Sequence, residues 1–169
     1  KLQREKRQGE FPYYGAAALM DHVDAYLFDG IYLLMGEDGS VTHDDGTPFL
    51  QYVWGKFWVN NHAHVLQGAN GFSTEFLFCG LSSINISPYV TGAVQAKLNQ
   101  ANMKRMPLVT PTKEVLNAFD FSVLPLFEKR RLNIEESKTL AQLRDALLPK
   151  LMSGEIRVMD AEKEIEAVA

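Results

Sequence analysis

The chain has a single cysteine, Cys79, and no surplus of positive charge: 17 Lys+Arg stand against 21 Asp+Glu. One cysteine closes no internal disulfide and makes no zinc site, which excludes a disulfide scaffold and a zinc module and fits a reducing, cytoplasmic compartment. The acidic balance excludes a protein that coats nucleic acid through charge alone. It holds in both halves, with 8 basic against 10 acidic residues over 1–110 and 9 against 11 over 111–169. No apolar run approaches the roughly 18 residues that a membrane span needs, and the opening KLQREKR is too polar for a signal peptide. Equally absent are a nucleophile elbow, a phosphate loop, a dinucleotide fingerprint, a His-Glu-x-x-His helix and an EF-hand spacing. No catalytic residue, metal site or cofactor is therefore expected.

What remains is a folded, ordinary composition, 46% hydrophobic and 22% charged, arranged with two different periods. Residues 1–110 predict an α+β head built on a curled, mainly antiparallel sheet. Apolar runs at 26–28, 31–35, 49–54, 57–66 and 72–78 are separated by turn dipeptides at Asp29-Gly30, Asp38-Gly39, Asp45-Gly46 and Asn70-Gly71. A helix is expected over 92–103, and a short one over 112–123 capped by Thr110 or Thr112.

From about Ser122 to Met152 the period is helical, with Pro125 expected in the first turn and Gly154 as the stop. Leu140, Leu143, Leu147, Leu148 and Leu151 form a stripe, while Phe127, Ile134, Ala141 and Leu148 recur every seven residues. Asn133 lies in line with Leu126, Leu140 and Leu147, where a polar residue can fix register. Residues 126–152 would span roughly 40 Å at 1.5 Å per residue, too long for a head of this size to cover. Such an arm calls for a partner helix, and an antiparallel coiled-coil spacer is the expectation. The organisation read from the sequence is thus a head over 1–110, an arm over 111–158 and an acidic tail over 159–169.

The densest polar cluster is GKFWVNNHAHVL at 55–66. On a strand, His62 and His64 would share a face, as DNA contacts or metal ligands do; histidines that organise a turn are the structural alternative. Basic, amide and aromatic groups interleave at Arg4, Lys6 and Arg7 before Tyr13 and Tyr14, at Lys56 before Asn60 and Asn61, and at Gln95, Lys97, Lys104 and Arg105. These are the groups that read base edges and hold phosphates. Two rivals belong to other classes: a small metal-dependent hydrolase using His62, His64 and the loop carboxylates at 37–45, and an adaptor acting through its helix alone.

Three segments carry a resemblance. They are LAQLRDALLPKLMSGEIRV at 140–158, GAVQAKLN at 92–99 followed by MPLV at 106–109, and FPYYG at 11–15 running through to NNHAHV at 60–65. Together they resemble the specificity subunit of type I restriction–modification enzymes, the first matching the close of its helical spacer. The resemblance implies a non-catalytic reader of double-stranded DNA that works with separate modification and restriction subunits, the former helping to grip phosphates. Such subunits carry two heads and two spacers in tandem. A chain with one of each is expected to be a half-length subunit or a fragment, completed by a second head or by a homodimer through the arm.

Overall fold

A computed structural model describes residues 9–92 and 94–160. Arg4, Lys6 and Arg7 lie outside the described residues, as does most of the acidic tail. Two compact units, residues 1–121 and 122–169, divide the chain.

The first unit is built on five strands: β1 (Phe11–Tyr14), β2 (Leu19–Val23), β3 (Phe28–Gly36), β4 (Leu50–Val59) and β5 (Ala63–Leu66). They form one sheet in the order β2-β1-β4-β3-β5. Three of the pairings are antiparallel and one, β1 with β4, is parallel, so the sheet is mixed. The interior strand β3 explains its own composition. Leu33, Leu34 and Met35 of β3 are all fully buried. A strand covered on both faces reads as a continuous apolar run rather than an alternation. On one face Leu34 packs with Val53, Phe57, Val59 and Ala63. On the other, Met35 joins Val41, Ile86 and Leu98.

Asp29-Gly30 is not a turn. β3 runs straight through it, and Gly30 sits opposite Gly55 in an unbroken ladder from Phe28↔Phe57 to Met35↔Leu50. Both glycines hold left-handed φ values, +137° and +75°, which side-chain-bearing residues adopt at a cost. At Gly30 a ring fills the space, the Tyr32 edge lying 3.3 Å from where a Cβ would stand, whereas Gly55 faces open space. Phe28 stacks on Phe57 at 5.4 Å, and Tyr32 meets both edge-on at 5.3 and 5.7 Å. Aromatic cover of a strand glycine is a known way to keep a glycine-bearing ladder intact.

The segment expected as a strand at 72–78 is a helix instead, α1 (Thr74–Leu81). The Asn70-Gly71 turn frees the chain from the sheet, and Ser73 then caps the helix by accepting from the Phe76 amide at 3.1 Å. Glu75 on α1 is buried and accepts the Tyr52 hydroxyl at 2.5 Å. The helix expected over 92–103 shrinks to α2 (Gln100–Met103). The residues before it are held extended, because Lys97 bridges to both Thr91 and Asp38.

The expected break near Ser122 is absent. A single helix, α3 (Lys113–Ser153), contains both Pro125 and Pro149 in its interior. Its first turns belong to the head, where Leu116 is buried, Phe119 meets Phe76 edge-on at 5.3 Å and Asp120 accepts from Ser73 at 2.7 Å. Pro125 has no N–H to give the Phe121 carbonyl, and the unit boundary falls directly after that residue.

In the second unit α3 ends as expected at Gly154 (φ +74°). The Gly154 amide donates to the Leu151 carbonyl at 3.2 Å and the Glu155 amide to Lys150 at 3.0 Å, the paired bonds of a Schellman stop. Along this part Leu147 is buried, while Leu143, Leu151, Phe127 and Ile134 are half-buried and Asn133 is exposed. Leu140 and Leu148 remain 58% and 48% exposed, and Leu126 and Leu132 more so.

Candidate functional site

Three connections converge on a shallow groove: the β1–β2 turn, the loop after β3 and the β4–β5 turn. It is lined by residues 15–18, Met20, Asp38, Gly39, Ser40, Asn60 and His62, together with Gln95 from the loop before α2. The backbone holds these segments against one another. Gly15 donates to Ala18 at 2.9 Å, Asn60 to Tyr14 at 3.0 Å, Glu37 to His62 at 2.8 Å, Gly39 to Ala96 at 3.1 Å and Leu98 to Glu37 at 2.7 Å. The Gln51 amide on β4 adds a bond to the Gly15 carbonyl at 2.9 Å.

Two successive carboxylates engage the two histidines. His62 lies in the β4–β5 turn, with its Nδ1 2.6 Å from the Asp38 carboxylate and its amide bonded to the Asn60 side chain at 2.9 Å. His64 lies on β5 and points inward. Its Nε2 donates to the Leu98 carbonyl at 2.7 Å, and its Nδ1 faces Glu37 at 3.7 Å. The ring of His62 is about half exposed, that of His64 only 9%. The pair expected to act together on one strand face is thus split, one ring in the groove and one tying the sheet to the 95–98 loop.

Of the candidates named from sequence, the groove gathers Asn60, His62 and Gln95. Asn61 is exposed in the same turn, and Lys97 flanks the groove through its bridge to Asp38. Lys104 and Arg105 are exposed just after α2. Lys56 stands roughly 13 Å back along β4 at 3.3 Å per residue, with its ammonium 4.9 Å from the centre of the Tyr26 ring. The two tyrosines lie on β1 outside the groove: Tyr13 is buried, and the half-buried Tyr14 meets Phe57 edge-on at 5.8 Å. Residues 15–18, Met20, Asp38, Gly39 and Ser40 went unnamed as contacts. The Gly-Ala-Ala-Ala run between two strands and the Asp38-Gly39 turn were their only sequence signals.

The hydrolase reading fails on this geometry. His64 is committed to a backbone carbonyl, and no group of three potential ligands is placed to hold a metal ion among the described residues. In the 42–49 hairpin the Thr47 hydroxyl and amide bind the Asp45 carboxylate and hold it below the usual carboxylate range, as a self-contained turn does. Burial, then the charge of Glu75, push the Cys79 thiol up, away from the thiolate a nucleophile needs. No helix among the described residues is long and apolar enough to cross a membrane.

Known proteins place this architecture. Residues 1–144 match the family model described as the type I restriction modification DNA specificity domain. A Haemophilus influenzae protein assigned as a type I restriction enzyme specificity subunit is 36% identical over 107 residues, covering 63% of this chain and 27% of that protein. The MjaIX specificity subunit of Methanocaldococcus jannaschii is 33% identical over 106 residues, covering 61% of this chain and 24% of its own length. The chain thus spans about a quarter of these relatives. The crystal structure of a type I restriction–modification S subunit from M. genitalium superposes with a TM-score of 0.61 at 17% identity, over 86% of this chain and 39% of that one. That likeness shows a shared fold. With the family model covering most of its length, the chain belongs to the type I restriction–modification DNA specificity domain family.

Proposed function

We propose that the head reads one part of a bipartite double-stranded DNA site and that α3 sets the distance to a second reader. The observation that carries this reading is the groove. Amide and imidazole side chains of Asn60, His62 and Gln95 converge there on turns held by backbone bonds, in a chain of the specificity family. Such groups donate to and accept from base edges, whereas phosphate contacts only position a protein on the duplex. Lys97, Lys104 and Arg105, exposed on neighbouring segments, supply some of the latter. The net charge of −4 leaves the rest to modification subunits. Methyl transfer and cleavage belong to those and to restriction subunits; this chain is the non-catalytic, cytoplasmic member and uses no cofactor of its own. Residues 122–153 of α3 extend about 48 Å at 1.5 Å per residue, about 14 base pairs at 3.4 Å each.

Selection from a randomised duplex library, using the chain assembled with a type I modification subunit, tests the reading. One short sequence should be enriched, and Gln95→Ala should relax it at one base pair by about 1–3 kcal/mol. Methylation should require the added subunit and its methyl donor. Absence of enrichment, or methylation by the chain alone, overturns the proposal.

A further inference from the structure

We infer that Asp38 is a positioning residue: it fixes the tautomer of His62 so that the groove presents a hydrogen-bond acceptor to an exocyclic amino group of adenine or cytosine. The inference rests on the reading of the groove as a DNA-contacting surface.

An ionised carboxylate only accepts hydrogen bonds. With Asp38 Oδ1 2.6 Å from Nδ1, the proton of a neutral His62 ring must sit on Nδ1, which leaves Nε2 as a bare acceptor. The backbone of both partners is held in place. His62 is pinned by its amide to Asn60 at 2.9 Å and by its carbonyl to Glu37 at 2.8 Å. Asp38 is pinned by its bridge to Lys97, and its neighbour Gly39 donates to Ala96 at 3.1 Å. Both side chains line the groove.

A bare Nε2 is selective. Phosphate oxygens, guanine O6 and N7 and thymine O4 are themselves acceptors and would meet it lone pair to lone pair. Adenine N6 and cytosine N4 are the donors exposed in the major groove. In its neutral form His62 is thereby excluded from phosphate contact and assigned to base reading, unlike Asn60 and Gln95, whose amides can do either. Protonation would turn Nε2 into a donor. The charged and titratable groups at the ring and its partner are Asp38 itself and the Glu37–His64 pair beside it, with Lys97 bridged to Asp38 through the backbone.

The fold contains its own reference. His64 faces a carbonyl through Nε2, so its neutral ring must carry the proton there, the opposite tautomer. A long-range proton–nitrogen correlation spectrum of the histidine-labelled chain at alkaline pH should show His62 protonated at Nδ1 and His64 at Nε2. Asp38→Ala should move His62 to the Nε2 form and leave His64 unchanged. Asp38→Asn, which keeps an accepting oxygen and the turn, should preserve both. In the library selection, His62→Ala and Asp38→Ala should each lower the preference for adenine or cytosine at the same base pair about tenfold, and the double variant no further. Finding His62 protonated at Nε2 in the parent overturns the inference. So does an Asp38→Ala variant that keeps its preference. If Gln95→Ala relaxes one base pair while His62→Ala relaxes none, the groove reads DNA but His62 does not. If neither does, the groove reading itself falls.

Discussion

His64→Ala would remove an imidazole that is 9% exposed and whose Nε2 lies 2.7 Å from the Leu98 carbonyl. A hydrogen bond of this kind contributes about 1 kcal/mol net, and a carbonyl left in the interior without a donor adds about 1–2 kcal/mol more. A loss of about 2 kcal/mol leaves a domain of ordinary stability folded, and at about 2–4 °C per kcal/mol it lowers Tm by roughly 4–8 °C. The loss should be local as well as global. The Leu98 amide, which donates to Glu37 at 2.7 Å, should exchange with solvent faster than the amides of β3. Thermal unfolding and amide exchange of the parent and the variant measure both effects. DNA affinity should fall together with the preference at the base pair that Gln95 reads, because the loop carrying Gln95 is loosened as a whole. Unchanged Tm and exchange, combined with altered preference at a single base pair, would show that His64 reads a base, and the structural role assigned to it would be wrong.

Two further outcomes are expected. The stripe on α3 should be covered by a second copy of the arm, giving a dimer whose population rises with concentration in sedimentation. The double change Leu140→Asp and Leu148→Asp, at positions 58% and 48% exposed in the single chain, should abolish the dimer without lowering Tm, and a parent that stays monomeric at high concentration refutes the arrangement. Gly55→Ala puts a side chain into open space at a φ of +75°, so its cost is that of the left-handed backbone alone, about 1–2 kcal/mol in urea unfolding; a neutral result would deny that conformation.

What could be read without coordinates depended on how local its cause was. The long amphipathic helix and its stop are local properties, and Gly154 ends α3 where its neighbours implied. The α+β character of the head was legible from the short apolar runs. Tertiary context decided the rest. Asp29-Gly30 carries the sequence of a turn, yet it lies within a ladder because Gly55 stands opposite and the Tyr32 ring packs beside Gly30. Residues 72–78 are aromatic enough for a strand, but Ser73 caps them into a helix. The parallel pairing of β1 with β4 joins residues more than forty apart in the chain and has no local signature. The site divided in the same way. Residue types pointed to Asn60, His62 and Gln95, whereas Asp38 and the Gly15 turn became visible only once the fold brought the loops after β3 and β1 into one groove.

The bonds that assemble this groove belong mostly to the main chain. Glu37 to His62, Gly39 to Ala96, Leu98 to Glu37, Asn60 to Tyr14 and Gly15 to Ala18 are all amide-to-carbonyl pairs, indifferent to the side chains that ride on them. Ala16, Ala17, Ser40, Asn61 and Gln95 can therefore be exchanged while the frame beneath them keeps its shape. On the proposed reading of the groove, new sequence preferences would lie within reach of single substitutions that leave this frame intact. The heritable part of such a reader is its frame, and its vocabulary is free to drift.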